Sequence, residues 1–146
     1  MKHVIREAQV PFKAHQIFDL VNDTESYPRF IPYCTHGAIV KGDEHQRLAT
    51  LTFGYHGVTQ TIKTHNKMTP YKRIEVSLVD GPLAFMEGCW TFESLPHASG
   101  CRVKVEFKYE MSSSWMSLAF EPILMQVLQR MVDCFTEEAE HRYGTV

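Results

Sequence analysis

Between residues 101 and 111 every second side chain is apolar: Cys101, Val103, Val105, Phe107, Tyr109 and Met111 alternate with Arg102, Lys104, Glu106, Lys108 and Glu110. A period of two places the first set on one face of a β-strand and the second on the other, so this strand has one dry side and one wet side. A dry sheet face has to be covered by another element. The cover follows at once. Ser112-Ser113-Ser114 supply N-cap hydroxyls, and from Trp115 to about Arg142 the residues Phe120, Leu124, Val127, Met131 and Phe135 recur along one stripe of a helix. Pro122 falls within that span, so a break is expected near Phe120–Glu121, or else a helix with Pro122 as its first residue.

The period of two extends upstream, punctuated by Gly and Pro. It predicts strands at Gly37–Lys41, Arg47–Tyr55, Val58–Lys67, Lys72–Val79 and Ala84–Glu93, joined by links as short as hairpins need. An opening strand at His3–Val10 stops at Pro11, after which Ala14, Ile17, Phe18 and Val21 mark one face of a short helix. Turn and cap residues Asn22-Asp23-Thr24 lead into Tyr27–Cys34, where Pro28 and Pro32 sit among bulky apolar groups as a rigid connector. The plan is α+β: an antiparallel sheet of six to seven strands and one helix about 30 Å long at 1.5 Å per residue. One helix leaves a flat sheet partly bare, so the sheet is expected to curl around it, with Gly54, Gly57 and Gly88 as places to bend. Such a curl encloses space, which side chains fill or leave hollow.

Its 146 residues suit one domain, 1–146, and 44% hydrophobic against 22% charged residues exclude disorder. A formal net charge of −2 excludes a global positive field, so DNA is not an expected partner and any RNA contact has to be local. Charges at Lys2, Arg6 and Glu7 precede any apolar stretch, and no apolar run nears the 18 or so residues of a membrane span, which leads us to expect a cytoplasmic protein. Cys34, Cys89, Cys101 and Cys134 form no C-x-x-C pair and are expected as reduced thiols. The eight histidines, His97 among them, lack metal-site spacing, and Cys34 with His36 has no second pair to close a site. No nucleophile elbow, phosphate loop or dinucleotide fingerprint is present, and Asp80, Glu87 and Glu93 read as solvated carboxylates. No catalytic residue, metal or required cofactor is therefore expected, and the protein is not expected to be an enzyme.

Several stretches resemble one family in order along nearly the whole chain. They are Val10-Pro11-Phe12, Phe18-x-Leu20-Val21-Asn22-Asp23, Tyr27-Pro28-x-Phe30-x-Pro32-Tyr33-Cys34, Leu78-Val79-Asp80-Gly81-Pro82 with Trp90-x-Phe92, and Leu118-Ala119-Phe120. The sequence resembles the coenzyme Q-binding family of START-like, polyketide cyclase-related proteins, and most of all its bacterial ribosome association toxin branch. The resemblance implies a helix-grip fold with two short helices after the first strand, and a hydrophobic tunnel that binds ubiquinone or a related isoprenoid lipid in support of respiration. For the bacterial branch it also implies binding to the large ribosomal subunit that hinders subunit joining. A third function within the superfamily is polyketide cyclase or dehydratase chemistry.

An apolar tube gains roughly 0.8 kcal/mol for each lipid CH₂ it buries, so a tail needs little more than apolar walls. Candidate walls are the inward strand positions Leu51, Phe53, Val76, Leu78, Trp90, Phe92, Val105 and Phe107, faced by helix positions Leu124, Val127, Leu128 and Met131; each also reads as plain core. Tyr27, Tyr33 and Tyr55 are candidate hydrogen-bond donors to ring carbonyls. Leu83 and Phe85 read as a gate or as an ordinary strand start. Lys63, Lys67, Lys72 and Arg73 occupy a segment without an acid, with Tyr71 available for stacking. That segment suits ribosomal RNA phosphates, an anionic inner-membrane surface, or simple solvation as a hairpin tip.

Overall fold

A computed structural model describes residues 1–96 and 100–144. Seven strands form one antiparallel sheet: β1 (Lys2–Val10), β2 (Cys34–Gly42), β3 (Gln46–Tyr55), β4 (Val58–Thr69), β5 (Arg73–Asp80), β6 (Leu83–Ser94) and β7 (Cys101–Met111). Their spatial order is β1-β7-β6-β5-β4-β3-β2, so the first two strands in sequence become the two edges. Between them stand α1 (Ala14–Asn22) and a 3₁₀ helix, Thr24–Arg29, and after β7 come α2 (Ser114–Ala119) and α3 (Glu121–Tyr143). The connector expected around Pro28 is thus partly helical, and the link expected at Pro96–Gly100, with His97, lies largely outside the described residues.

β7 takes the alternation expected of it: Cys101, Val103, Val105, Phe107 and Tyr109 are buried, and the charged residues between them are not. β2 is longer than its sequence suggests because two register slips, at Cys34/His36 and Ile39/Lys41, interrupt its period. Other slips fall at Lys63/Thr64 and Leu83/Phe85. None lies at Gly54, Gly57 or Gly88, the bends expected from sequence. Gly57 instead completes a two-residue hairpin turn with His56, both left-handed at φ 48° and 80°, as a tight turn between β3 and β4 requires. Gly88 makes room for a ring: a Cβ there would lie 2.2 Å from Phe107.

The helix breaks at Phe120, and Pro122 sits in the first turn of α3, where its missing N–H costs nothing. At about 1.5 Å per residue the 23-residue α3 is about 35 Å long, enough to cross seven strands about 4.8 Å apart. Leu124, Val127, Met131 and Phe135 all face the sheet and are buried, as is Phe120 before them. Rings of Tyr27, Phe30 and Trp90 each stand 5.3 Å from that of Phe135, which anchors the middle of the core. At the far end Arg142 donates to Glu138 at 2.7 Å and to Asp23 at 2.8 Å, tying the tail of α3 to the end of α1.

Candidate functional site

Beneath α3 the curled sheet leaves a hollow of about 80 Å³. Its walls come from β3 (Ala49, Leu51, Phe53), β4 (Ile62, Thr64, Asn66), β5 (Val76), β6 (Met86, Trp90), β7 (Phe107), α3 (Leu124, Val127, Leu128, Met131) and the 3₁₀ helix (Thr24, Tyr27). Nine of the twelve wall positions expected from sequence are among them: Leu51, Phe53, Val76, Trp90, Phe107, Leu124, Val127, Leu128 and Met131. The other three do different work. Phe92 packs between Phe18 and Trp90, at 5.6 and 6.2 Å between rings. Val105 is buried in the core but does not border the hollow. Leu78 pairs with Thr64 just short of the slip that sets Asp80 opposite Lys63; it lies beyond Ser77, the last β5 residue paired with β6, and packs half-buried against the core without reaching the hollow.

The tyrosine expectation needs correction. Tyr27 borders the hollow, but its hydroxyl donates to the Val21 carbonyl and burial pushes its pKa up, so it is a neutral, committed group. Tyr33 donates to Gln126 Oε1 at 2.9 Å and packs edge-on against Tyr55, 5.0 Å between rings. Both stand outside the hollow, and Tyr55, beside the exposed hairpin turn, is half-exposed. The gate is also displaced. The slip between Leu83 and Phe85 sets Phe85 opposite the outward Glu110, so Met86, opposite Tyr109, reaches the hollow in its place. Sequence reasoning missed the polar wall residues Thr24, Thr64 and Asn66; the signal available was the inward phase of β4, which Ile62 and Met68 share.

On the opposite face of the sheet Lys63, His65 and Lys67 project from β4 and Arg73 from β5, with Lys72 in the turn between. The acid-free segment is not acid-free in space. Lys67 pairs across the strands with Glu75, which also lies 3.6 Å from Arg73, and the partner of Lys63 is Asp80. Hairpin folding brings residues from beyond the segment alongside it. Tyr71 occupies a left-handed conformation at φ 65° after Pro70, its ring half-exposed and 5.4 Å from that of Phe18. Among the described residues no group of three His, Cys, Asp or Glu side chains gathers as metal ligands, and no helix is long and apolar enough to cross a membrane. Burial raises the thiols of Cys34 and Cys101 to about 11, which leaves them protonated.

Comparison with known proteins bears on both faces. The ribosome association toxin RatA of Vibrio cholerae is 38% identical over 144 residues, 99% of each chain. The mitochondrial coenzyme Q-binding protein COQ10 homolog B of Xenopus laevis is 27% identical over 142 residues, 91% of this chain and 56% of that protein. The crystal structure of the Zhui aromatase/cyclase of Streptomyces sp. R1128 superposes with a TM-score of 0.74 over 97% of this chain and 95% of that one, at 18% identity, a likeness of fold alone. Residues 10–136, nearly everything from the end of β1 to the middle of α3, match the family described as polyketide cyclase / dehydrase and lipid transport. The chain therefore belongs to that START-like family.

Proposed function

We propose that this protein associates with the ribosome, through the large subunit, and hinders subunit joining in the cytoplasm without catalysing a reaction. The observation that carries the reading is the extent of the likeness to the Vibrio cholerae toxin, 38% identity with 99% of both chains matched. The hairpin of β4 and β5 supplies a contact: Lys67 and Lys72 are exposed, and Tyr71, next to Lys72 in the turn, is half-exposed. Such a set holds phosphates without reading bases, which suits a folded RNA surface. With a net charge of −2 the rest of the molecule gives little attraction, so the hairpin has to act locally. Pelleting with purified large subunits tests this. Wild type should pellet in low salt and be released as salt rises, and Lys67→Glu combined with Lys72→Glu should abolish pelleting. Unchanged pelleting of the variant rejects the hairpin; no pelleting of the wild type rejects the association.

The hollow supports a second reading, that the interior binds a neutral apolar ligand such as an isoprenoid quinone, taken up at an inner-membrane surface. At about 80 Å³ the hollow is well below the roughly 300–1,000 Å³ of ligand pockets, so an isoprenoid tail enters only if side chains or α3 move. That revises the open tunnel expected from the family resemblance. Organic extraction of protein expressed in a quinone-producing host, followed by mass spectrometry, should return a stoichiometric isoprenoid; its absence, with no thermal stabilisation by added quinone, would remove this reading.

A further inference from the structure

We propose that the cleft between the ends of α1 and α3 and the turns that follow β2 and β4 takes one unpaired nucleotide of an RNA chain, with its phosphodiester held by Arg47 and its base laid against Tyr71. That RNA is the source rests on the ribosome association proposed above. The cleft has a volume of about 720 Å³ and shares no lining residue with the hollow. Arg47 lies on β3 two residues before Ala49, on the inward phase, and pairs with Asn66. Its Nη1 donates to the carbonyl of Asn22, the last residue of α1. Its Nε is buried without a partner, and Nη2 on the same edge of the guanidinium makes no hydrogen bond among the described residues. That edge is the fork that receives two oxygens of a carboxylate or phosphate. One residue further on, Asp23 holds Arg142, whose Nη2 is likewise buried without a partner. Two guanidiniums with unused donors are thus anchored on consecutive residues at one helix end.

The rest of the lining narrows the class of ligand. Against Arg47 and Arg142 stand three carboxylates, Asp19, Asp23 and Glu44, so the cleft carries no surplus of positive charge. A phosphate monoester, with about 1.5 to 2 negative charges at pH 7, is a poorer fit than a phosphodiester, which has one. Asp23 is already committed to Ser26 and Arg142. Asp19 and Glu44 hold no side-chain hydrogen bond among the described residues and can accept a ribose 2′-hydroxyl, which DNA lacks. Tyr71 and Tyr143 also line the cleft, 53% and 40% exposed, and an exposed aromatic ring is a platform for an unstacked base. Tyr71 belongs to the β4–β5 turn next to Lys72, so the cleft is continuous with the hairpin proposed to meet the ribosome.

The Nε–H NMR signal of Arg47 reports on the site at pH 7, and the dinucleotide UpU, its 2′-deoxy counterpart, UMP and benzoate separate the features of the ligand. UpU should move that signal saturably, binding about fivefold more tightly than the deoxy form and more tightly than UMP. Tyr71→Leu, at a half-exposed position, should weaken UpU about tenfold, and Arg47→Lys, which keeps the charge and loses the fork, should abolish saturable binding as read from the Tyr71 ring signals. Should Arg47→Lys fail to fold, Tyr71→Leu carries the test alone. No saturable response to UpU overturns the nucleotide cleft even if wild type pellets with large subunits. Benzoate binding as tightly as UpU, or UpU binding unchanged in Tyr71→Leu, overturns it as well. A UpU response with the expected preferences in a protein that does not pellet upholds the nucleotide cleft and removes the ribosome as the source of its ligand.

Discussion

Arg142 joins stretches of chain 119 residues apart, and its two partners differ in how much they depend on it. Glu138 is nearly buried, with Arg29 at 3.4 Å as its other cation, so loss of Arg142 leaves a poorly paired carboxylate inside the protein. Arg142→Met should lower the stability measured by urea unfolding at pH 7 by about 2 kcal/mol. Burial alone would raise the pKa of Asp23, but the hydrogen bonds from Ser26 and Arg142 outweigh it and hold the carboxyl below its ordinary value. A depressed folded pKa contributes stability that is present above the unfolded value and is lost as pH falls through the folded one. The gap between wild type and variant should therefore close below about pH 4; a gap constant down to pH 2 would contradict the ion pairs. At this scale the sequence was legible where a side chain obeys its element's period, as Val127 and Leu124 do. It was not legible at Thr24, Thr64 and Asn66, because a polar residue at an inward position looks like a break in the pattern. Nor was it at Phe85, because a one-residue slip reverses faces without changing composition.

Among the elements, β6 and β7 show a glycine chosen by its neighbour. Gly88 sits opposite Phe107, and any Cβ there would overlap the ring. Gly88→Ala should cost about 1–3 kcal/mol in chemical denaturation, and Phe107→Leu in the same chain should recover part of it, which a backbone effect of alanine would not allow. The two sides of the helix break differ as sharply. Trp115 and Leu118 on α2 are 65% and 75% exposed, while Phe120 at the break is fully buried. Phe120→Ala should lower stability by about 3–5 kcal/mol, and Trp115→Ala by less than about 0.5 kcal/mol. Comparable losses would mean that α2 packs against the body of the protein. Strand ends were harder to read than strand cores: β2 recruits Cys34–His36 from the connector because register slips let an irregular stretch keep pairing.

For the whole molecule, the order of elements was enough to read the fold, since a sheet with one dry face followed by a single long amphipathic helix has few ways to bury itself. The size of the hollow was out of reach, because it depends on how Met86, Met131 and the leucines interlock, and no periodicity records that. Val127→Trp, at a position 1% exposed on the wall, should abolish the thermal stabilisation by added quinone and keep a cooperative thermal transition. An undiminished response would place the ligand elsewhere. Interior and hairpin lie on opposite faces of the sheet, so a ligand inside and a ribosome outside do not compete for residues. Association with the ribosome is tested most directly by adding the protein to purified small and large subunits under joining conditions and resolving them on a sucrose gradient. The protein should migrate with the large subunit, and the joined-ribosome peak should shrink as its concentration rises. Protein left at the top of the gradient, with that peak unchanged, would contradict the proposed function.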